Sequence, residues 1–120
     1  MGNSHRLGEW GENVARVFLE LCGYRCVEQR YRRPGGEIDL IMRKGSILVF
    51  VEVKTRRSNA LAPAEAWVGA GQRRRLRRLA GQWLGEHAGQ APGELRFDVV
   101  AVEIADQDDG ASIRHLAGVF

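Results

Sequence analysis

The 120-residue sequence predicts an α/β fold in three layers, a mixed central β-sheet flanked by helices. Two observations predict it. Apolar residues recur at three- and four-residue intervals over residues 6–22 and again over 72–87, the period of a helix with one buried stripe. Runs rich in β-branched residues, at 37–42, 47–54 and 96–104, are bounded by polar or glycine-bearing turns, as strands are. With 44% hydrophobic residues the chain can bury one modest core, so a single domain over residues 1–120 is expected.

The first helix carries Leu7, Val14, Val17, Phe18 and Leu21 on its stripe, extended by Trp10, Gly11 and Ala15. Ser4 is placed to cap it and Gly23 to stop it in a left-handed turn. Gly8 and Gly11 each cost up to about 1 kcal/mol relative to alanine in a helix, so another backbone or a ligand is expected close by. Glu12 beside them reads either as an exposed acid paired with Arg16 or as a group at that close approach.

A short first strand is predicted over 24–29, followed by a basic loop, Arg30-Tyr31-Arg32-Arg33-Pro34-Gly35-Gly36. Arginines beside an exposed tyrosine suit phosphates and unpaired bases; a merely solvated loop fits the residues equally. After Lys54 the polar run 55–59 is expected to leave the sheet, and Pro63 to open a short helix reaching Val68. The second long helix buries Leu76, Leu79, Ala80, Trp83 and Leu84. A glycine- and proline-bearing loop over 88–93 leads to the apolar strand 96–104, which Asp98 interrupts as a hydrogen-bonding or ion-pairing group. An acidic turn at 106–110 and an edge strand over 111–116 complete the chain.

The chemistry concentrates in residues 37–54. Gly45 suits a tight hairpin turn, and with Lys44 and Gly45 as a two-residue loop Ile38 faces Val51, Leu40 faces Val49 and Met42 faces Ile47 on one apolar side. The other side carries Glu37, Asp39, Ile41, Leu48, Phe50, Glu52 and Lys54. Asp39 then lies opposite Phe50, with Glu52 its diagonal neighbour about 7 Å away. Two hard carboxylates this close suit Mg²⁺ or Mn²⁺, which commonly share their shell with a phosphate. The Lys54 ammonium beside them can orient or deprotonate an attacking water, or neutralise a phosphoryl oxygen. Glu52-Val53-Lys54 alone reads as a solvated strand end; Asp39, costly inside an apolar strand, is what raises it to a candidate site. Glu37 is given a supporting, structural part.

Net charge is +3, compatible with nucleic acid without establishing it. Five arginines, Arg73, Arg74, Arg75, Arg77 and Arg78, fall within six residues of the second helix, where their mutual repulsion would be relieved by an anionic partner. Only Lys44 and Lys54 among the 18 basic residues are lysines, so an amine at 54 stands out. No apolar run is long enough to span a membrane, and the opening Met-Gly-Asn-Ser-His-Arg lacks the apolar core of a signal peptide, so a cytoplasmic protein is expected. Cys22 and Cys26, without a second pair or a nearby histidine, are expected to be reduced and partly buried rather than zinc ligands.

Glu37-Ile-Asp39-Leu-Ile followed by Val-Phe-Val-Glu52-Val-Lys54-Thr-Arg56 resembles the PD-(D/E)XK nuclease signature, and in particular the bacterial YraN-like family, which is similar to archaeal Holliday-junction resolvases. Gly8-Glu9-Trp10-Gly11-Glu12-Asn13-Val14-Ala15 and Arg96-Phe97-Asp98-Val99-Val100 match further motifs of that family, so the resemblance covers nearly the whole chain. It implies a restriction endonuclease-like sandwich and a Mg²⁺- or Mn²⁺-dependent nuclease acting on DNA, with branched or single-stranded forms as candidate substrates. Asp39 and Glu52 would bind metal, a first-helix glutamate, Glu12 or alternatively Glu9, would support it, and Lys54 would handle the water. Arg32, Arg33, Arg56 and the run from Arg73 to Arg78 would hold phosphates. The resemblance leaves room for a homodimer, though no dimer face is marked. Arg30 stands where the family usually has asparagine, Gln72 where it has lysine, and Ala60-Leu61-Ala62 where Phe-Gly is expected. The competing readings are a nucleic-acid-binding module of the same fold without chemistry, and a subunit whose site a partner completes.

Overall fold

The computed structural model describes residues 2–57, 68–90, 92–105 and 110–119. Helix α1 (Gly2–Leu21) precedes strands β1 (Arg25–Arg33), β2 (Gly36–Lys44) and β3 (Ile47–Arg57); α2 (Ala70–Glu86) follows, then β4 (Glu94–Ile104) and β5 (Ala111–Leu116). The five strands form one sheet in chain order, antiparallel throughout except for the central parallel pair β3–β4. That parallel step requires a crossover, and α2 lies within it. One helix covers each face, the α/β sandwich expected, consistent with a restriction endonuclease-like fold.

The core splits by face. On the α1 side Ala15 and Leu19 pack with Leu40, Met42, Val49, Val51, Val100 and Val102. On the α2 side Leu76, Leu79, Ala80 and Trp83 pack with Tyr31, Ile38, Ile41, Leu48, Phe50 and Val99. Ile38 therefore belongs to the α2 side, not with Leu40 and Met42 as strict alternation predicts. The face of α1 turned to the sheet is also rotated: Gly11, Ala15 and Leu19 are buried, while Val17 and Leu21 of the expected stripe are exposed. Ser4 lies inside α1, which begins at Gly2. Gly23 does end the helix, with φ 96° and the paired bonds Tyr24 N–H to Leu19 O and Gly23 N–H to Glu20 O of a Schellman turn.

Three boundaries differ from expectation. The β2–β3 ladder pairs Leu40 with Val51, Met42 with Val49 and Lys44 with Ile47, so the loop is Gly45-Ser46. A shift of two residues preserves which side chains share a face, yet it brings Asp39 level with Glu52 instead of Phe50. β1 runs on through Arg33, and the predicted basic loop reduces to a turn at Pro34-Gly35. β3 likewise continues to Arg57 beside β4. The short helix at 63–68 and the acidic turn at 106–110 fall largely outside the described residues.

Candidate functional site

Asp39 and Glu52 sit side by side on adjacent strands, only 8% and 6% exposed. The β2–β3 ladder runs as far as Leu40, and there the Asp39 side chain takes over: the Val53 N–H donates to its Oδ2 at 2.8 Å. Burial, then the Glu52 charge, push the Asp39 carboxyl well above the ordinary carboxylate range; Glu12 adds to the rise and the Val53 N–H opposes it. An anion held here calls for a cation.

Glu12 arrives from α1. Gly11 makes this possible, since a Cβ at that position would lie 1.8 Å from Thr55 Oγ1, so the α1 backbone rests directly on the Thr55 side chain of β3. Gly8 has open space around it instead. Carboxylate oxygens of Glu12, Glu37 and Asp39 lie within 4.8 Å of one another. Glu37, expected to be structural, thus joins the cluster.

Glu52 is held from two directions. Lys54 Nζ lies 3.3 Å from its Oε2, and the Gln72 amide, from the first turn of α2, donates to the same oxygen. Gln72 Oε1 in turn accepts from Lys54 at 3.4 Å. The amide thereby links the acid and the amine of the Glu-Val-Lys tripeptide. In the sequence Gln72 stands out only as a departure from the family's lysine, because nothing local to α2 reveals which strand it meets.

Two clefts converge on this pair. One, of about 330 Å³, opens on the α1 side past Leu7, Gly8, Glu12 and Thr55. The other, of about 230 Å³, opens on the α2 side past Gly36, Glu37, Gln72 and Arg75. Asp39 and Glu52 line both. The groove between α1 and β5, walled by Trp10, Val17, Leu21 and Ile113, is almost wholly apolar and offers no comparable chemistry.

The residues matched by the model of the Uncharacterised protein family UPF0102 are 11–102, which contain Glu12, Glu37, Asp39, Glu52, Lys54 and Gln72. The chain belongs to UPF0102. It is 49% identical over 114 residues to a UPF0102 protein of Beutenbergia cavernae, covering 94% of each chain. A UPF0102 protein of Moorella thermoacetica is 42% identical over 115 residues, covering 96% of this chain and 95% of its own. UPF0102 is the YraN-like family that the motifs resemble, and Glu9, the alternative to Glu12, lies outside the matched residues.

The arginines of this UPF0102 chain divide. Arg74, Arg75, Arg77 and Arg78 are exposed on α2, and the Arg78 guanidinium reaches the β1–β2 turn at Gly35. Arg73 is half-buried, its Nε donating to Val68 O. Arg56 is exposed near the end of β3. Arg32 pairs with Glu37 at 2.8 Å, and Arg33 pairs with Glu86 at 2.9 Å while covering the Tyr31 ring. Tyr31 itself is fully buried, its hydroxyl donating to Glu86, and burial followed by that bond pushes it up to about 12. The expected exposed stacking tyrosine is therefore a core residue, since β1 continues through it and its ring sits in the α2-side cluster.

Asp98 is wholly buried and accepts from both nitrogens of the Arg96 fork, from the Gly118 N–H and at 2.6 Å from His115 Nε2. It is the ion-pairing group expected. Cys26 is half-buried, with burial first among the influences that push its thiol up, whereas Cys22 is exposed, contrary to expectation; both are free thiols. Among the described residues no helix is long and apolar enough to cross a membrane.

Proposed function

We propose that this chain is a divalent-metal-dependent nuclease that hydrolyses DNA phosphodiester bonds, with branched or single-stranded forms as its preferred substrates. One observation carries the reading: Asp39, Glu52, Glu12 and Lys54 meet where two clefts join, beside an exposed arginine face.

The carboxylates fit Mg²⁺ or Mn²⁺. Metal–oxygen distances of about 2.1 Å put octahedral ligand oxygens about 3–4.2 Å apart, so Glu12, Glu37 and Asp39, whose oxygens already lie within 4.8 Å, need only side-chain adjustment to share one ion. Asp39 and Glu12 would hold the ion together with Glu52, which lies beside Asp39 and lines the same clefts, and Glu37, the third member of the close trio, would adjoin them. When bound, the ion supplies Lewis-acid polarisation of the phosphoryl oxygen and the attacking water. Lys54 Nζ, oriented by Glu52 and Gln72, stands ready to move the water's proton or to neutralise charge on the phosphoryl oxygen. Arg75, at the wall of the α2-side cleft, would receive the phosphate backbone.

The rival reading, a binding module without chemistry, draws on the fact that Glu12 and Glu52 already have partners in Arg30 and Gln72. Labelled single strand, duplex, flap, splayed arm and four-way junction, incubated with Mg²⁺, Mn²⁺ or EDTA, separate the two. The nuclease reading expects metal-dependent cutting that falls to background in Glu52→Gln and Asp39→Ala, with DNA binding largely retained in Asp39→Ala. Binding without cutting on every substrate would establish the module instead.

A further inference from the structure

We infer that Arg30 is a resident counter-cation of the carboxylate cluster, which a divalent ion must displace, so that this arginine sets the metal affinity of the site; the inference rests on the metal-dependent reading above.

Carboxylates this close repel one another unless cations lie among them. The structure provides one for each of three acids: Arg30 for Glu12, Arg32 for Glu37 and Lys54 for Glu52. Asp39 bonds instead to the Val53 N–H. The three cations are not equivalent. Arg32 is 66% exposed and free to swing into solvent, and Lys54 belongs to the reacting group. Arg30 is different: its Nε donates to Glu12 Oε1 at 2.7 Å, its side chain is 29% exposed and that of Glu12 only 14%. A second acid, Glu9, lies 3.9 Å from the same guanidinium.

The backbone agrees with a deliberate placement. Arg30 has φ 57°, the left-handed region, and is the one non-glycine residue there among the described residues. In the β1–β2 ladder it falls between the pairs Gln29–Leu40 and Tyr31–Ile38, level with Asp39. This twist in the strand aims its side chain at α1 and Glu12.

Glu12 Oε1 therefore already spends a lone pair on a cation, and the guanidinium charge stands close to the point where Glu12, Glu37 and Asp39 converge. A divalent ion taking Glu12 as a ligand competes with Arg30 for that carboxylate and is repelled by its charge. Removing the charge tightens metal binding; keeping it while losing the planar fork does not.

Calorimetric titration of Mn²⁺ into wild type, Arg30→Asn and Arg30→Lys, with thermal melting in Mn²⁺ and in EDTA, tests this. Asparagine is at ease at φ 57°, so the fold is retained. The expected result is about tenfold tighter Mn²⁺ binding by Arg30→Asn, the effect of deleting one neighbouring like charge, a larger Mn²⁺-induced rise in melting temperature, and near-wild-type affinity for Arg30→Lys. Should Arg30→Asn fail to fold, Arg30→Gly, which also accepts that φ, carries the same comparison. Wild type binding Mn²⁺ as tightly as the uncharged variant overturns this inference and leaves the nuclease reading standing. Absence of Mn²⁺ binding in every variant overturns both.

Discussion

A single missing side chain lets the first helix reach the site. Gly11 faces Thr55, and a methyl group there would meet Thr55 Oγ1 at 1.8 Å and Cβ at 3.0 Å. Gly11→Ala should cost about 1–3 kcal/mol, the range for overpacking a close contact. Urea unfolding should show part of that cost recovered in a Thr55→Ala background, where the Oγ1 clash is gone and the Cβ contact remains. An equal cost in both backgrounds would mean that Thr55 does not set the approach. The pair of glycines also shows what residue-level reading can and cannot reach. Helix propensity marks Gly8 and Gly11 alike as expensive, but only tertiary packing distinguishes the one against β3 from the one beside open space. Arg30 is a similar case, because no local pattern announces a left-handed arginine inside a strand.

At the scale of elements, β4 and β5 are clasped through Asp98, which joins Arg96 on its own strand to His115 on the next and to Gly118 beyond it. Burial alone would raise this carboxyl, yet the bonds from His115, Arg96 and the Gly118 N–H together outweigh it and hold the group below the usual carboxylate range. A lowered folded value means stability that is fully present above the unfolded value of about 3.9 and is lost as pH falls through the folded one. Asp98→Asn should therefore be less stable at neutral pH, by about 3 kcal/mol as for a broken buried ion pair, and its stability should fall less steeply on acidification below about pH 4. Urea melts between pH 7 and 2 measure both; parallel pH profiles would show that Asp98 contributes nothing to acid unfolding. Strand identity was legible throughout, since the period of two survives a two-residue error in hairpin register and still puts Asp39, Glu52 and Lys54 together. The turn was not, because Gly45 serves a Lys44-Gly45 loop and a Gly45-Ser46 loop equally well. The extension of β1 over Arg30–Arg33 was hidden by a composition of arginine, proline and glycine that reads as loop, while what makes it strand is Tyr31 buried against the α2-side core. The roles of Gln72 and Glu37 in the site were hidden for the same reason: their neighbours come from helix docking and strand pairing, not from adjacent sequence.

At the scale of the molecule, a net charge of +3 conceals a division, with acids gathered between the clefts and arginines exposed along α2. That division is what a phosphodiester chain would meet, its backbone on the arginines and one phosphate delivered past Arg75 to Asp39 and Glu52. The arginines differ in what they have to give. Arg33 is paired with Glu86, and Arg73 holds Val68 O, whereas Arg74 and Arg75 are exposed on the first turns of α2. Arg74→Ala combined with Arg75→Ala should weaken DNA binding and reduce the slope of log affinity against log salt by about 1.5, the release of counterions from two phosphate contacts. Arg16→Ala, whose guanidinium pairs with Glu20 on α1, serves as the control and should leave affinity and slope unchanged. Fluorescence anisotropy across a salt series, with EDTA present so that binding is read without cutting, gives both quantities. A fall in affinity at constant slope would mean that the two arginines shape the cleft without touching phosphate, and an equal effect of Arg16→Ala would mean that general basicity, not the α2 face, draws the nucleic acid.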